Sequence, residues 1–269
     1  MIRLVVSDVD GTLVDKQKQL TDATIAAVRR LEAAGIGFTI ISARPMSGLM
    51  PIVEALALDV PVAAFNGGIV FHRDGRIESH VTIDPDVATE ILKAAEGAAV
   101  DIWVFADDRW YATSDRGTHV EHERVAANQA PILDADLATV VARADKITFV
   151  SDDEPVLRAL HATIDHLGDR ATIAQSQTYY LDVTARAANK GDGVAALAAA
   201  FAVPLEAVAA IGDQANDLPM LARAGTAIAM GNAPDSVKSA AHHVTTANDA
   251  DGVAHAIDTL ILIPTGAAA

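Results

Sequence analysis

The sequence predicts an α/β fold: a doubly wound parallel sheet into which a second, α+β domain is inserted. Short apolar runs alternate with helical patterns near both ends of the chain, and every Trp and Tyr lies between these two regions. Continuous apolar strands that alternate with helices are typical of parallel sheets covered by helices on both faces. With 269 residues, 51% of them hydrophobic, the chain can bury a substantial core.

The N-terminal part of the predicted sheet begins with an apolar run at residues 4–6. Thr21 and Asp22 then begin a helix that ends at Gly35. The next predicted elements are a strand at 38–41, a helix at 46–57, a third strand of the parallel sheet at 62–65, and a β-hairpin of 69–72 and 76–82 joined by Asp74-Gly75.

The middle of the chain follows a different pattern. It contains predicted helices at 86–97, 116–127, 135–143 and 154–167 and predicted strands at 100–106, 109–113, 146–151, 171–175 and 179–184. From Lys190 the α/β alternation returns, with helices at 191–202, 216–223, 234–241 and 250–261 and strands at 207–211, 226–230 and 243–245. We therefore predict a discontinuous core domain (1–84 and 187–269), an inserted domain (85–186) and a frayed tail over 264–269.

The composition argues against several classes of protein. Twenty Lys and Arg against 36 Asp and Glu give a formal net charge of −16, which repels a nucleic-acid backbone. With no cysteine there is neither a disulfide framework nor a thiolate zinc site. No apolar run approaches the roughly 20 residues that span a bilayer, and no signal-peptide pattern precedes the first strand. We expect a cytoplasmic protein that binds neither nucleic acid nor membrane, as a monomer or small homo-oligomer.

Polar motifs occur at four places at or beside the carboxyl ends of the predicted strands, where open parallel sheets bind their ligands. Each motif alone has an ordinary explanation, such as an acidic turn, a helix N-cap or a solvated lysine. Their coincidence at one edge of one sheet favours a shared functional site. The motifs are Asp8-Val9-Asp10-Gly11-Thr12, Ser42-Ala43-Arg44, Asn189-Lys190-Gly191 and Gly212-Asp213-Gln214-Ala215-Asn216-Asp217.

These residue types fit the chemistry of phosphoryl transfer. A carboxylate that attacks a phosphate meets charge repulsion, which Mg²⁺ held by Asp8 and Asp213 would reduce. Lys190, Ser42 and the backbone N–H groups after Asp10 can hold the phosphate oxygens. An aspartate can serve as a covalent nucleophile, a role that we assign to Asp8. Asp10 can then protonate the leaving group and activate water.

The four motifs, in this order and on this kind of sheet, resemble those of the haloacid dehalogenase (HAD) superfamily. The first motif extends to Leu13, Ser42 matches the second motif, Lys190-Gly191 the third, and residues 212–217 the fourth. The position of the insertion resembles the Cof-type phosphatases with a C2B cap, and Asn66-Gly67-Gly68 resembles the Asn-Gly turn of that branch. The resemblance implies a Rossmann-like HAD core with an inserted cap.

Carried over residue by residue, the resemblance implies that Asp8 is the nucleophile and a Mg²⁺ ligand. Asp10 would be the general acid and base and bind the metal through its backbone carbonyl, and Asp213 would be the other carboxylate on Mg²⁺. Asn216 and Asp217 would support the metal or its waters. The family often has Thr-Gly-Arg where this chain has Ser42-Ala43-Arg44, and the serine keeps the hydroxyl. The phosphate-binding residues would be Gly11, Thr12, Ser42, Ala43, Arg44, Lys190 and Asn216.

In this branch the cap closes over the leaving group, and the substrates are mostly sugar phosphates and other small phosphorylated metabolites. A Tyr pair in a strand is also explained by sheet packing, and the His pair with Glu123 lacks the spacing of a zinc motif, so we interpret its helix face as solvated. The candidates for substrate choice are Arg44, Arg116, His119, His122, Tyr179 and Tyr180.

Three other functions stay open at this stage. A phosphomutase with the same cap would need to grip a bisphosphate, yet the inserted domain has no dense Arg and Lys cluster. A phosphorylation-sensing receiver combines similar residues but would not tolerate the insertion. A non-catalytic phosphate-binding protein could share the fold, although it would not need Asp10. Hydrolysis of a small phosphomonoester through an aspartyl-phosphate is the favoured prediction.

Overall fold

The structure is a computed structural model that describes residues 1–262, so the predicted tail lies outside the described residues. Helix α1 begins where Thr21 accepts a hydrogen bond from the backbone N–H of Thr24 at 3.2 Å. The elements up to residue 80 are β1 (Leu4–Ser7), α1 (Asp22–Ala33), β2 (Gly37–Ile40), α2 (Met46–Ala55), β3 (Val62–Ala64), β4 (Ile69–Phe71) and β5 (Ile77–His80).

The remaining elements follow the predicted order. Residues 85–186 carry α3 (Pro85–Ala94), β6 (Asp101–Ala106), β7 (Arg109–Ala112), α4 (Val120–Ala127), α5 (Leu137–Val140), β8 (Ala144–Val150), α6 (Glu154–Ile164), β9 (Ala171–Gln177) and β10 (Tyr180–Ala185). The last part carries α7 (Lys190–Ala200), β11 (Val208–Gly212), α8 (Leu218–Arg223), β12 (Thr226–Ala229), α9 (Asp235–Ala240), β13 (His243–Val244) and α10 (Gly252–Ala256).

Two five-stranded sheets confirm the predicted fold class. The first sheet has the order β13-β12-β11-β1-β2, and all its described pairs are parallel. The second sheet has the order β7-β6-β8-β10-β9, and all its described pairs are antiparallel. Because the second sheet is built only from strands within residues 85–186, we call this segment the cap and the rest of the described chain the core.

Strand β3 corrects one prediction, because it is not a full member of the parallel sheet. A single parallel bridge, Ile41 to Ala63, links it to the end of β2. It pairs instead with β4 in a separate antiparallel sheet of order β3-β4-β5. Phe65 and Asn66 have positive φ angles of 47° and 59°, so the chain reverses directly after β3 and β4 returns along it.

Several predicted helices are shorter in the structure. The helix predicted over 116–127 begins only at Val120, because Ser114 accepts a hydrogen bond from the N–H of Arg116 and holds a turn there. The helix predicted over 135–143 is α5 followed by a 3₁₀ turn, Val141–Arg143. The last predicted helix divides into α10 and a π-helical turn, Ile257–Ile261, and Asp251 before α10 is left-handed with φ 52°.

The cap packs directly on the core beside the carboxyl edge of the parallel sheet. The rings of Phe65 and Phe105 have centroids 5.9 Å apart. Ser47 at the start of α2 donates a hydrogen bond of 2.8 Å to the carbonyl of Ala127. A Cβ atom on Gly48 would lie 2.1 Å from the carbonyl oxygen of Ala126, so only glycine permits this approach. Within residues 1–262, no helix combines the length and the apolar character needed to cross a bilayer.

An ion pair between the partly exposed His80 and the buried Asp145 joins the segment that leads into the cap to the cap sheet. His80 Nε2 lies 2.5 Å from Asp145 Oδ1, and Asp145 is buried on β8. Burial raises the pKa of Asp145 to about 6; His80 opposes this shift, and the charges of Asp107 and Asp108 add to it. The folded protein therefore holds this proton more tightly than the unfolded chain, in which an aspartate has a pKa near ~4.

Replacement of Asp145 by Asn is expected to raise the free energy of unfolding at pH 7.5 by about 2–3 kcal/mol. Between about pH 4 and 6 the unfolded wild-type chain binds fewer protons than the folded one, so wild-type stability falls as pH rises, whereas Asn does not titrate. Urea unfolding at pH 4.5 and 7.5 measures the difference, with the exposed Asp169→Asn as control. An equal effect of Asp145→Asn at both pH values would contradict this explanation.

Candidate active site

The predicted site residues meet at the carboxyl edge of the parallel sheet. Asp8 follows β1, Ser42 follows β2, Lys190 begins α7 and Asp213 follows β11. All four are buried. The Nζ atom of Lys190 lies 2.5 Å from Asp8 Oδ1 and 2.5 Å from Asp217 Oδ1. One buried ammonium group is therefore shared by two buried carboxylates.

A third carboxylate makes this cluster negatively charged. Ligand atoms of Asp8, Asp213 and Asp217 all lie within 4.8 Å of one another. Burial raises the pKa of Asp8 well above its usual value; Lys190 opposes this shift, while Asp217 and Asp213 add to it. Burial, with Asp217 next, likewise raises the pKa of Asp213 to about 7. Such a group of oxygen ligands with excess negative charge fits a hard divalent cation.

The three carboxylates differ in how many hydrogen bonds they already accept. Asp217 Oδ2 accepts from the backbone N–H groups of Asp213 and Gln214 at 2.8 and 2.9 Å, and its Oδ1 accepts from Lys190. Asp217 therefore orients Lys190 and the backbone of the fourth motif, residues 212–217. Asp8 and Asp213 keep more of their oxygen lone pairs available for a cation.

The turn after Asp10 brings the backbone close to Asp213. Gly11 has a φ of +80°, and a Cβ atom on it would lie 2.4 Å from Asp213 Oδ2. Thr12 donates a hydrogen bond of 3.1 Å to Asp213 Oδ1. Glycine is needed here for both the left-handed backbone and the close approach. Gly11 and Thr12 therefore connect the first motif to the fourth.

Asp10 lies apart from the acidic cluster and faces the cleft between core and cap. Arg44 binds it with two hydrogen bonds, Nε to Oδ2 at 2.7 Å and Nη2 to Oδ1 at 2.8 Å. Lys18 Nζ lies 2.5 Å from Asp10 Oδ1. Burial alone would raise the pKa of Asp10, but Arg44 and then Lys18 outweigh it and hold this pKa well below the usual range. Asp10 is therefore a carboxylate in this arrangement.

The other predicted phosphate-site residues are placed less uniformly. Ser42 Oγ accepts a hydrogen bond of 3.2 Å from the N–H of Arg44, which keeps the hydroxyl at the site. Ala43 and Arg44 line the cleft. The Asn216 side chain is half-buried and forms no hydrogen bond among the residues that the structure describes. It is therefore not bonded to the cluster of Asp8, Asp213 and Asp217.

Sequence reasoning missed two residues of the core side. Asn232 donates hydrogen bonds to the carbonyl of Gly11 at 2.9 Å and to Asp213 Oδ2 at 3.3 Å. The available signal was its position in a Gly-Asn pair just after an apolar strand, which is the rule that found the other motifs. Lys18 was missed because its contact with Asp10 depends on its own left-handed backbone, with a φ of 62°, in the loop after β1.

Only some of the predicted cap residues reach the cleft. His122 and Tyr180 line it. Arg116 does not, and its side chain is 94% exposed. His119 stacks on Tyr179 with ring centroids 3.7 Å apart and binds Asp152, on a different part of the surface.

The interpretation of the histidine-bearing helix face as solvated is wrong for Glu123, because this side chain is buried and faces the cleft. The complete lining of the cleft is Asp10, Lys18, Ala43, Arg44, His122, Glu123, Ala126, Lys146, Gln177, Tyr180 and Asp182.

The doubly wound sheet and the buried acidic site at its carboxyl edge define an α/β enzyme whose site lies under an inserted cap. The profile of the haloacid dehalogenase-like hydrolases matches residues 5–257, and the chain belongs to this family.

Similar proteins agree on the class of activity. A putative phosphatase of Haemophilus influenzae is 31% identical, with 94% of this chain and 96% of that protein covered. Phosphatase YwpJ of Bacillus subtilis is 29% identical, with 97% of this chain and all of that protein covered (100%). A solved haloacid dehalogenase-like hydrolase from B. subtilis has a TM-score of 0.87 and 28% identity, with coverage of 97% and 100%. The protein is a phosphatase of this family.

Proposed function

We propose that the protein is a Mg²⁺-dependent phosphomonoester hydrolase that acts through an aspartyl-phosphate on Asp8. Its substrate would be a sugar phosphate or a similar small phosphorylated metabolite. One observation carries this proposal: the buried Asp8 carboxylate lies within 4.8 Å of the ligand atoms of Asp213 and Asp217 and contacts Lys190 at 2.5 Å. Residues 1–84 and 187–269 would form the core domain and 85–186 the cap.

The first step would transfer the phosphoryl group to Asp8. Lys190 contacts Oδ1, so Oδ2 is the oxygen available to attack phosphorus. As the Oδ2–P bond forms, the bond from phosphorus to the ester oxygen breaks, and Asp10 gives its proton to the departing oxygen. Bound Mg²⁺, held by Asp8, Asp213 and the backbone carbonyl of Asp10, would neutralise charge on the phosphate. Lys190, Ser42 and the N–H groups of Gly11 and Thr12 would hold the non-bridging oxygens.

The second step would return Asp8 to its free form. Asp10, now a carboxylate, takes a proton from water while the water oxygen attacks phosphorus and the Oδ2–P bond breaks. The ion pairs of Asp10 with Arg44 and Lys18 favour its anionic form, which suits this base role. A phosphate dianion entering the cleft competes for the same two cations. This competition weakens their hold on Asp10 and raises its pKa toward the range of an acid.

The test of this proposal is phosphate release from a panel of sugar phosphates, polyol phosphates, nucleotides, and flavin and pyridoxal phosphates, each with MgCl₂ and with EDTA. We expect hydrolysis of at least one phosphomonoester, with loss of activity in EDTA that added Mg²⁺ restores. Equal rates in EDTA would contradict the metal-dependent reaction. Conversion of a hexose 1-phosphate to its 6-phosphate without phosphate release would instead identify a phosphomutase.

Mg²⁺ is expected to raise the Tm of the wild-type protein by roughly 5–10 °C at a concentration about 100 times its Kd. Asp213→Asn should raise the Tm in EDTA at pH 8, because it removes one of three crowded carboxylates, and should abolish most of the Mg²⁺ response. Thermal unfolding in EDTA and in MgCl₂ measures both effects, with Asp59→Asn, whose side chain is 83% exposed, as control. A full Mg²⁺ response in Asp213→Asn would place the metal elsewhere.

A further inference from the structure

The face of the cap sheet that covers the active site is buried and carries polar side chains beside aromatic ones. In the antiparallel register Lys146 pairs with Phe105 and Thr184, and Thr148 pairs with Trp103 and Asp182. Directly paired residues project to the same face of a sheet, and neighbours along a strand alternate. The opposite face carries Ile147, Phe149, Leu181 and Val183, which pack in a core of the cap. The polar set therefore faces the core domain.

Three charged groups of this region are nearly buried, and their charges are not neutralised by an ion pair among the described residues. Glu123 is 7% exposed, and Lys146 and Asp182 are each 6% exposed. Among residues 1–262, neither Glu123 nor Lys146 forms an ion pair or a hydrogen bond, and the ammonium of Lys146 lies 4.6 Å from the ring centroid of Phe105. Asp182 accepts one hydrogen bond, 2.7 Å from Thr148.

A fourth polar group on this face, the hydroxyl of Tyr180, is also buried without a hydrogen-bond partner within the described chain. Tyr180 lies two residues before Asp182 on the same strand. Buried polar groups are nearly always paired in folded proteins, because leaving them unpaired is costly. Several such groups together indicate a surface built to receive a polar ligand.

The position of the three charged groups fixes which part of a substrate they would meet. Glu123, Lys146 and Asp182 line the same cleft as Asp10 and Arg44. In the proposed reaction Asp10 protonates the ester oxygen, so the phosphate lies on the core side of Asp10. The leaving group must therefore extend toward the cap, where it meets Glu123, Lys146 and Asp182.

The charges of Glu123, Lys146 and Asp182 restrict which kinds of leaving group can bind. Two carboxylates face one ammonium, and the charges of Arg44 and Lys18 are engaged by Asp10 and, in the proposed reaction, by the phosphate that is transferred. Burial lowers the pKa of His122, and Lys18 acts in the same direction, so this histidine adds no positive charge at neutral pH. A second phosphate would be repelled, and an apolar group would leave the buried charges unpaired. Hydroxyl groups can donate to the carboxylates and accept from the ammonium.

Resting on the proposed function, we propose that Glu123, Lys146 and Asp182 bind the leaving group and select an uncharged, polyhydroxylated one. The substrate class is thus a polyol or sugar monophosphate without a second anionic group. Both carboxylates would accept hydrogen bonds from hydroxyls, and Lys146 would donate to one. This assignment argues against a phosphomutase, because a phosphomutase must bind a bisphosphate.

The experiment compares kcat/KM for sorbitol 6-phosphate, fructose 1,6-bisphosphate and acetyl phosphate, which offers no hydroxyl chain. The wild-type protein should prefer sorbitol 6-phosphate to the bisphosphate by about tenfold or more. Glu123→Gln, Lys146→Met and Asp182→Asn, made separately, should each lower the ratio of kcat/KM for sorbitol 6-phosphate to that for acetyl phosphate by roughly 10- to 100-fold. A ratio is used because a general loss of folding lowers both values together.

Glu121→Gln is the matched control, since Glu121 lies on the same helix as Glu123 but its side chain is 80% exposed. It should leave the ratio as in the wild type. An unchanged ratio in the three cleft variants, or a wild-type preference for the bisphosphate, would overturn the inference. Failure of the wild-type protein to hydrolyse any of the three compounds, acetyl phosphate included, would instead count against the proposed phosphatase function itself.

Discussion

Asp8→Asn is expected to reduce kcat by roughly 10⁴-fold or more with every phosphomonoester, because the amide cannot attack phosphorus. The side chain keeps its size, and its carbonyl oxygen can still accept the hydrogen bond from Lys190. The fold should therefore survive, which circular dichroism and thermal unfolding would verify. Phosphate release under saturating substrate and MgCl₂ measures the loss.

A matched control for this variant is Asp249→Asn, which neutralises a partly exposed carboxylate that is paired with Lys16 on the core surface. It should turn over substrate like the wild type. If Asp8→Asn kept activity within about tenfold of the wild type while folding normally, Asp8 would not be the nucleophile.

Asp10→Asn is expected to separate the two steps of the reaction. With an alkyl phosphate, whose leaving group needs a proton, turnover should fall by about 10²- to 10⁴-fold. With p-nitrophenyl phosphate, whose leaving group needs none, Asp8 should still be phosphorylated. Hydrolysis of the phosphoenzyme then lacks its base, so p-nitrophenol should appear in a burst that matches the amount of enzyme, followed by slow turnover.

Rapid-mixing absorbance measurements would detect this burst. Ordinary rates with a sugar phosphate would refute the acid role of Asp10. Equal losses of turnover for both substrates, without a burst, would show that Asp10 has a structural role in the site and does not transfer protons.

The core side of the site was predictable because it follows a topological rule. Strands β1, β2 and β11 are short continuous apolar runs, and the polar residues that follow them must meet at one edge of a parallel sheet. The local sequence is therefore sufficient to indicate Asp8, Ser42 and Asp213. Asn232 obeys the same rule, because it follows β12.

Other features depend on contacts that local sequence does not encode. The reversal after β3 rests on two consecutive left-handed residues that are not glycine, Phe65 and Asn66. The bidentate pairing of Arg44 with Asp10 joins two loops, so a residue predicted to hold phosphate also keeps Asp10 in its carboxylate form.

The cap was predicted as a layout of strands, but the polar residues with which it lines the cleft were not. Residues 146–149 and 180–184 alternate polar and apolar side chains, a pattern that is typical of a strand with one solvated face. Here the polar face is covered by the core, so Lys146 and Asp182 are buried. Sequence alone does not say whether water or another domain covers a polar face, so it does not distinguish buried residues such as Lys146 from exposed ones such as Arg116.

The most direct test of the central claim is to identify the residue that carries the phosphoryl group. The enzyme, mixed with Mg²⁺ and ³²P-labelled substrate, would be quenched in acid within milliseconds, digested at low pH and analysed by peptide mass spectrometry. The mechanism predicts one acid-stable, base-labile phosphoryl group on Asp8, with larger amounts in Asp10→Asn. Phosphoryl transfer to another residue, or substrate turnover without any phosphoenzyme in Asp10→Asn, would contradict it.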